Sequence, residues 1–240
     1  MFLDPFYTVD AAGAVRISAA QGSAFAKGIA GDFNPLHDAD NPRFCVPGDL
    51  LFALVLCRHG LRSRMAFRFA GMAGADAVLS FRPADDGLTV VDAAGKTCLE
   101  VSWSGEESRD ASLIETLVRR YVAFSGHNFP HILVPLMQRH GVMVNTDRPL
   151  VIYERMSFEL DRLDCPDPEL ALVDSQLQVS GRRGEAALAF AFGQAGEPLG
   201  HGAKTLILSG LRDHDAVALE GLVDRYMGWQ AAYESSRAAP

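Results

Sequence analysis

The stretch Pro47-Gly48-Asp49-Leu50-Leu51-Phe52-Ala53-Leu54-Val55-Leu56-Cys57 decides the fold class of this chain. The Pro-Gly step opens a helix, and Gly60 marks its end. Every position from Leu50 to Cys57 is apolar, so this helix has no polar face. A helix that is apolar on all sides is surrounded by other structure. The sequence therefore predicts a central helix that the rest of the fold wraps around.

The segments that follow this helix are predicted to form the strands that surround it. Alternation of apolar and polar residues between turn signals predicts strands at 64–70, 76–82, 87–93 and 96–104. Upstream, residues 6–17 predict a β-hairpin, and the capping box of Ser18 and Gln21 predicts a helix that runs to about Ala30. A helix followed by antiparallel strands is typical of an α+β fold.

The second half of the chain repeats this order. A helix is predicted at 112–125, a His/Pro loop at 126–131, an apolar helix from Ile132 to His140, and strands at 149–160, 170–180, 185–193 and 198–209. A repeated order of elements indicates duplication. We therefore predict an N-terminal half, a C-terminal half, and a C-terminal helix with a tail, at 1–110, 111–212 and 213–240.

Composition excludes several classes of partner. The net charge of -8 argues against binding to nucleic acid, which requires basic residues. No apolar run approaches the roughly 18 residues of a membrane span. The N-terminus lacks the pattern of a secretory signal, and the four cysteines are scattered, without the spacing of a zinc site or a disulfide framework. A cytoplasmic protein is expected.

The segment Gly31-Asp32-Phe33-Asn34-Pro35-Leu36-His37 carries the clearest chemistry. Asp32 and His37 flank a rigid Asn-Pro turn, and a carboxylate beside an imidazole can act as a general acid/base pair. The first N–H groups of the helix at Gly48 could hold a developing oxyanion. Asp, Asn and Pro are also ordinary turn formers, so the sequence by itself leaves open that this segment is only a structural turn.

Ala30 to His37 resembles the hydratase motif of the MaoC-like, hotdog-fold (R)-specific enoyl-thioester hydratases. The similarity of motifs covers roughly residues 18–60. The similarity of architecture extends over both halves and implies a double hotdog, in which two antiparallel sheets each wrap a central helix. The chain also resembles an uncharacterised proteobacterial branch of this superfamily with two hotdog halves.

The resemblance implies a hydratase or dehydratase that acts on 2-enoyl thioesters. Asp32 and His37 would be the catalytic pair, and Asn34 and Gly48 would contact the substrate. No metal or redox cofactor is implied, because coenzyme A or phosphopantetheine would arrive as part of the substrate. The span from His37 to Gly48 is shorter than is usual in the family, which puts the size of the substrate in doubt.

Two other functions stay open. Asp49 could act as the acidic residue of a hotdog thioesterase, or it could simply stabilise the helix N-terminus. The chain could also be a non-catalytic acyl-thioester binding or regulatory protein. Arg58 and Arg62 belong to a basic cluster with His59, Arg64 and Arg68, which could bind the phosphates of coenzyme A or an acyl carrier protein, or could simply be solvated.

The predicted loop Gly126-His127-Asn128-Phe129-Pro130-His131 faintly resembles a Gly-His-Phe-Pro run of fatty-acid-synthesis dehydratases. It carries the extra Asn128 and has no carboxylate nearby. We expect a non-catalytic second half that helps to shape the substrate pocket. The two halves would mimic the dimer of single-hotdog enzymes, so the protein is expected to be either a monomer or a homodimer.

Overall fold

The computed structural model describes residues 2–238, which form five α-helices and twelve strands. The helices are α1 (Ala19–Phe25), α2 (Gly48–His59), α3 (Ala111–Gly126), α4 (Val134–Arg139) and α5 (Ala216–Ala238). The strands of the first half are β1 (Thr8–Val9), β2 (Val15–Arg16), β3 (Leu61–Phe69), β4 (Val78–Ala84), β5 (Gly87–Val91) and β6 (Thr97–Ser108). Those of the second half are β7 (Val142–Met143), β8 (Leu150–Leu160), β9 (Glu169–Ser180), β10 (Arg183–Gln194), β11 (Glu197–Ser209) and β12 (Arg212–Asp213).

Ten of these strands form one antiparallel sheet, in the order β1-β2-β4-β5-β6-β3-β8-β11-β10-β9. In each half the first long strand pairs with the fourth, the fourth with the third, and the third with the second. The halves meet where β3 runs antiparallel to β8, with Phe67 opposite Met156. The predicted repetition of elements and the α+β class are confirmed.

The central helix α2 is buried as predicted. The side chains from Phe52 to Leu56 are fully buried. Its hydrophobic cluster includes α3 and β3–β6 and reaches Phe190 and Phe192 in β10 of the second half. A second cluster joins α4 and α5 to β9–β11. The division of the chain into units at residues 110 and 212 stays a prediction, because the sheet and the larger cluster both cross between the halves.

The His/Pro loop is the clearest difference from the predicted elements. Residues Phe129–Leu133 form a π-helical turn that leads directly into α4. Pro130 lies in the first turn of this helix, where backbone N–H groups have no partner within the helix. The N–H that proline lacks is therefore not needed, and Pro130 begins a helix instead of breaking one.

The hairpin and both predicted helix boundaries around residues 18 and 60 are confirmed. The Ser18–Gln21 capping box is present, and α1 continues as a π-helical turn to Ala30. Of the C-terminal unit, α5 is described, whereas residues 239–240 lie outside the described residues. Within residues 2–238, no helix has the length and hydrophobicity that crossing a bilayer requires.

Candidate active site

The Asp32–His37 loop is held by hydrogen bonds from its own side chains. Gly31, with φ of +68°, adopts the left-handed conformation that ends the preceding helical turn. The Asp32 Oδ1 atom accepts the backbone N–H of Asn34 at 2.9 Å. The Asn34 Oδ1 atom accepts the N–H of Leu36 at 3.1 Å and caps the short 3-10 helix Pro35–His37. These bonds hold the loop that carries Asp32 and His37 in one conformation.

Asp32 and His37 face each other. The Asp32 Oδ2 atom lies 3.6 Å from His37 Nε2. On the other side of the ring, His37 Nδ1 lies 2.8 Å from the carbonyl oxygen of Cys45. A carbonyl only accepts, so Nδ1 carries a proton, and Nε2 is the ring nitrogen that faces Asp32. A water or a substrate hydroxyl that contacts both Oδ2 and Nε2 from the cavity side could give up its proton to either group.

This pair lies on the wall of a cavity of about 340 Å³. Most of the wall is apolar, with Leu51 of α2, Phe69 of β3 and Leu206 of β11 among its residues. Gly48, at the first turn of α2, also lines it. A Cβ atom on Gly48 would lie 3.0 Å from the ring of Phe69 and 3.1 Å from that of Tyr153, so glycine provides close packing at this point.

A second polar group lines the same cavity. Asp49, Ser125 and Lys204 are buried, with 7%, 7% and 3% of their surfaces exposed. The Ser125 hydroxyl donates to Asp49 Oδ2 at 2.6 Å, and the Lys204 ammonium group donates to Ser125 Oγ. The same ammonium group lies 4.0 Å from the centre of the Tyr153 ring. Helix α2, helix α3 and strand β11 thus each contribute one member of a Lys204–Ser125–Asp49 relay.

Burial opposes the charges of this relay. It raises the pKa of Asp49, and the nearby Lys204 and the Ser125 hydrogen bond partly reverse that rise. Burial likewise lowers the pKa of Lys204, against the attraction of Asp49. Each residue therefore depends on the other for its charge, because an unpaired buried charge is costly.

Comparison with known families identifies the chain. Residues 1–217 match the family model described as "Protein of unknown function (DUF3581)". The chain belongs to the DUF3581 family. No curated protein matches its sequence.

Solved structures show distant likenesses to this DUF3581 member. A MaoC-like dehydratase aligns with 10% sequence identity and a TM-score of 0.42, over 84% of this chain and 97% of its own length. An acyl-CoA thioesterase II from Mycobacterium marinum aligns with 10% identity and a TM-score of 0.41, over 90% of this chain and 99% of its own. Likenesses this distant do not bear on the activity of the DUF3581 member, which we infer from the geometry of its cavity.

The structure brings Asp32, His37, Asn34, Gly48 and Asp49 to one cavity. Their assigned roles in catalysis and substrate binding stay predictions. Asn34 also reaches the second half, where its Nδ2 atom lies 3.5 Å from the carbonyl oxygen of Val151.

Arg58 and Arg62 lie at the opposite end of α2. Arg58 is in the last turn of the helix, about 15 Å along its axis from Gly48 at 1.5 Å per residue. Arg62 forms an ion pair with Glu107 at 2.8 Å, and Arg64 and Arg68 pair with Glu159 and Glu100. The cluster is therefore interleaved with acidic residues. Its binding to coenzyme A or to a carrier protein stays a prediction.

The second half and the C-terminal helix contribute residues that the sequence did not single out as functional. Ser125, Lys204 and Tyr226 line the cavity. Asn128 lies there too and is almost fully buried, whereas the neighbouring His127 and His131 are exposed. Residues of the second half thus form part of the cavity wall, with Asn128 and not His127 or His131 among them. That this half is non-catalytic and shapes a substrate pocket stays a prediction.

Cys45 also lines the cavity and is a possible rival nucleophile. Burial raises the pKa of its thiol to about 11. The thiolate is the nucleophilic form of cysteine, so the environment of Cys45 disfavours nucleophilic catalysis at neutral pH.

Proposed function

We propose that this DUF3581 member is a hydratase or dehydratase that interconverts 2-enoyl and 3-hydroxyacyl thioesters. The observation that carries this proposal is the convergence of Asp32 and His37, 3.6 Å apart, on the wall of a largely apolar cavity. The matching strand orders of the two halves and the buried helix α2 support a double hotdog as its fold.

In the hydration direction, a water molecule on the cavity side forms hydrogen bonds with both Asp32 Oδ2 and His37 Nε2. His37 takes a proton from this water as the water oxygen bonds to C3 of the substrate. The electrons of the C2–C3 double bond move towards the thioester oxygen, and C2 then takes a proton from the His37 imidazolium ion, which returns the ring to its neutral form. Asp32 orients the water and stabilises the imidazolium ion that forms. Dehydration runs through the same steps in reverse.

The N-terminus of α2 fits the charge that develops on the thioester oxygen. The first N–H groups of a helix have no partner within the helix, and the helix dipole favours negative charge there. Those of Gly48 and Asp49 belong to this turn, beside the cavity. A donor to such an oxyanion typically contributes about 10²-fold or more in rate.

Hydration of crotonyl-coenzyme A tests this proposal. Loss of the absorbance of the conjugated double bond, without release of free thiol, is the expected result. If crotonyl-coenzyme A and longer enoyl esters bind but are not turned over, the chain is a non-catalytic binding protein instead. We also propose that the protein can accept substrates from an acyl carrier protein and that it is cytoplasmic.

The second candidate is an acyl-thioester hydrolase that uses Asp49. The specific observation in its favour is that the Asp49 carboxylate lines the same cavity and its Oδ1 atom has no hydrogen-bond partner among residues 2–238. That oxygen could orient a water molecule towards the thioester carbon. Release of free thiol from saturated acyl-coenzyme A esters would favour this activity over hydration.

A further inference from the structure

The segment that follows helix α3 places a buried carboxamide in the cavity wall. Asn128 has only 3% of its surface exposed, yet neither its Oδ1 nor its Nδ2 atom has a hydrogen-bond partner in the described part of the chain. It follows Ser125 by three residues, and the backbone stays in the helical region at His127 and Asn128, so the two residues share a face. Both residues line the cavity.

Asp49 adds a second unsatisfied atom to this wall. Its Oδ2 atom accepts the Ser125 hydroxyl, but its Oδ1 atom is buried and has no partner within residues 2–238. Leaving a buried polar group without a partner costs about 1–3 kcal/mol. A purely alkyl ligand would leave both Asn128 and Asp49 in that state, so the wall fits a ligand that carries its own hydrogen-bonding group.

Burial indicates which part of the ligand meets this wall. Asp32 and His37 are half-buried, whereas Asp49 and Asn128 are buried, with only 7% and 3% of their surfaces exposed. A thioester that enters from solvent therefore reaches the Asp32–His37 pair first. The part of the acyl chain beyond the reacting carbons extends to the more deeply buried residues.

The chemistry of the wall selects the type of group. Asn128 offers one acceptor and two donor hydrogens, Asp49 offers an acceptor, and Lys204 offers donors. A hydroxyl both donates and accepts, so it can satisfy the carboxamide and the carboxylate together. A carboxylate on the ligand would place a second negative charge beside Asp49. We propose that Asn128 and Asp49 bind a hydroxyl group that the acyl chain carries beyond its reacting carbons.

This inference rests on the proposed action on acyl thioesters, and a binding experiment separates the two. The probes are ω-hydroxyacyl-coenzyme A esters of five to eight carbons and the saturated alkyl esters one carbon longer, in which a methyl group replaces the hydroxyl. None of these esters can be hydrated, so their affinities do not depend on hydratase activity. Calorimetry gives each dissociation constant, and a thiol assay afterwards checks that the ester is intact.

At least one hydroxyl ester should bind about tenfold or more tightly than its methyl partner, because a site built for a hydroxyl rejects the analogue that lacks it. Asn128→Leu should reduce this preference to about threefold or less without weakening the alkyl ester, since it replaces an unpaired polar group by an apolar one of similar size. Asn128→Ala is the second variant if leucine disturbs the fold. His127→Ala, an exposed neighbour, is the control and should keep the preference.

Three results would overturn the inference. Equal affinities within every pair would show that the wall does not bind a hydroxyl. Tighter binding of an ω-carboxyacyl ester of matched length would make Lys204 an anion site instead. Equal weakening of all esters and of coenzyme A itself by Asn128→Leu would assign Asn128 to the shared pantetheine arm. In all three cases the proposed hydratase would stand, whereas failure of every ester to bind would remove both proposals.

Discussion

The hydroxyl of Tyr226, in the C-terminal helix, accepts the backbone N–H of Phe33 at 3.0 Å, across 193 residues of sequence. The same hydroxyl lies 3.4 Å from the carbonyl oxygen of Gly31 and 3.3 Å from that of Gly126. Helix α5 therefore ties the loop that carries Asp32 and His37 to the end of helix α3. The C-terminal helix is part of the site and not an appendage.

Tyr226→Phe should lower the free energy of unfolding by about 1–3 kcal/mol, because the buried N–H of Phe33 loses its partner. It should also slow crotonyl-coenzyme A hydration, because the backbone of Phe33 is no longer held and Asp32 is the residue directly before it. Urea unfolding and the hydration assay measure the two effects. Tyr233→Phe is the control, because it removes a hydroxyl from the same helix that forms no hydrogen bond within residues 2–238. It should change neither the free energy of unfolding nor the rate of hydration appreciably. Equal effects of the two variants would contradict the role of Tyr226.

Gly126→Ala should destabilise the protein by about 1–3 kcal/mol or more, because overpacking forces the backbone apart. An added Cβ atom would lie 1.9 Å from the carbonyl oxygen of Ala30, where α3 touches the start of the loop that carries Asp32 and His37. Gly228→Ala is the matched control, since its Cβ would meet nothing within 4 Å and alanine favours a helix by about 0.5–1 kcal/mol. Thermal unfolding of both variants should therefore shift in opposite directions.

Lys204→Met should cost about 3–5 kcal/mol, because it leaves the buried Asp49 carboxylate without its cation. Asp49→Asn combined with Lys204→Met removes both charges and should recover most of that loss. Chemical unfolding of the wild type, both single variants and the double variant measures the coupling. Additive losses in the double variant would contradict a paired relay.

The same variants have a defined pH dependence. Burial raises the pKa of Asp49, and loss of Lys204 removes the charge that opposes this rise. Because the pKa of Asp49 is higher in the folded than in the unfolded state, protonated Asp49 favours folding. This contribution to stability is fully present below the unfolded pKa of about 3.9 and is lost as the pH rises through the folded pKa. The deficit of Lys204→Met relative to the double variant should therefore be smaller at acidic than at neutral pH. A deficit that is independent of pH would show that Asp49 does not carry the effect.

His127→Ala and His131→Ala should leave the rate of hydration within a few-fold of the wild type. Both side chains are exposed, and their ring centroids lie 6.1 Å apart. Steady-state hydration of crotonyl-coenzyme A measures the effect. A loss comparable with that of a His37 variant would move the catalytic centre to the second half.

Local patterns predicted the elements well because each depends on neighbouring residues. The apolar run from Leu50 to Cys57, the capping box at Ser18 and the alternating strands all act over a few positions. The Asp32–His37 pair belongs to the same class, since one turn holds both residues. The loop predicted at 126–131 was wrong around Pro130, because a proline can either begin a helix or interrupt one, and the local pattern does not show which.

The Lys204–Ser125–Asp49 relay could not be predicted in this way. Ser125 lies 76 residues from Asp49, and Lys204 lies 79 residues from Ser125. A lysine in an alternating strand usually points to solvent, and only the packing of β11 against α3 and β8 reveals that this one is buried. Asn128 looked like an insertion in a histidine motif, because nothing in the sequence shows which residue of that segment turns inward.

The most direct test of the central claim is the initial rate of crotonyl-coenzyme A hydration by the wild type, Asp32→Asn and His37→Ala. Asp38→Asn serves as the control, because Asp38 is close in sequence but pairs with Lys27 at 2.7 Å. We expect both catalytic variants to lose about 10²-fold or more in rate while their thermal unfolding stays close to that of the wild type, and we expect the control to retain its rate. Wild-type turnover by folded Asp32→Asn and His37→Ala proteins would contradict the assignment of these residues as the acid/base pair.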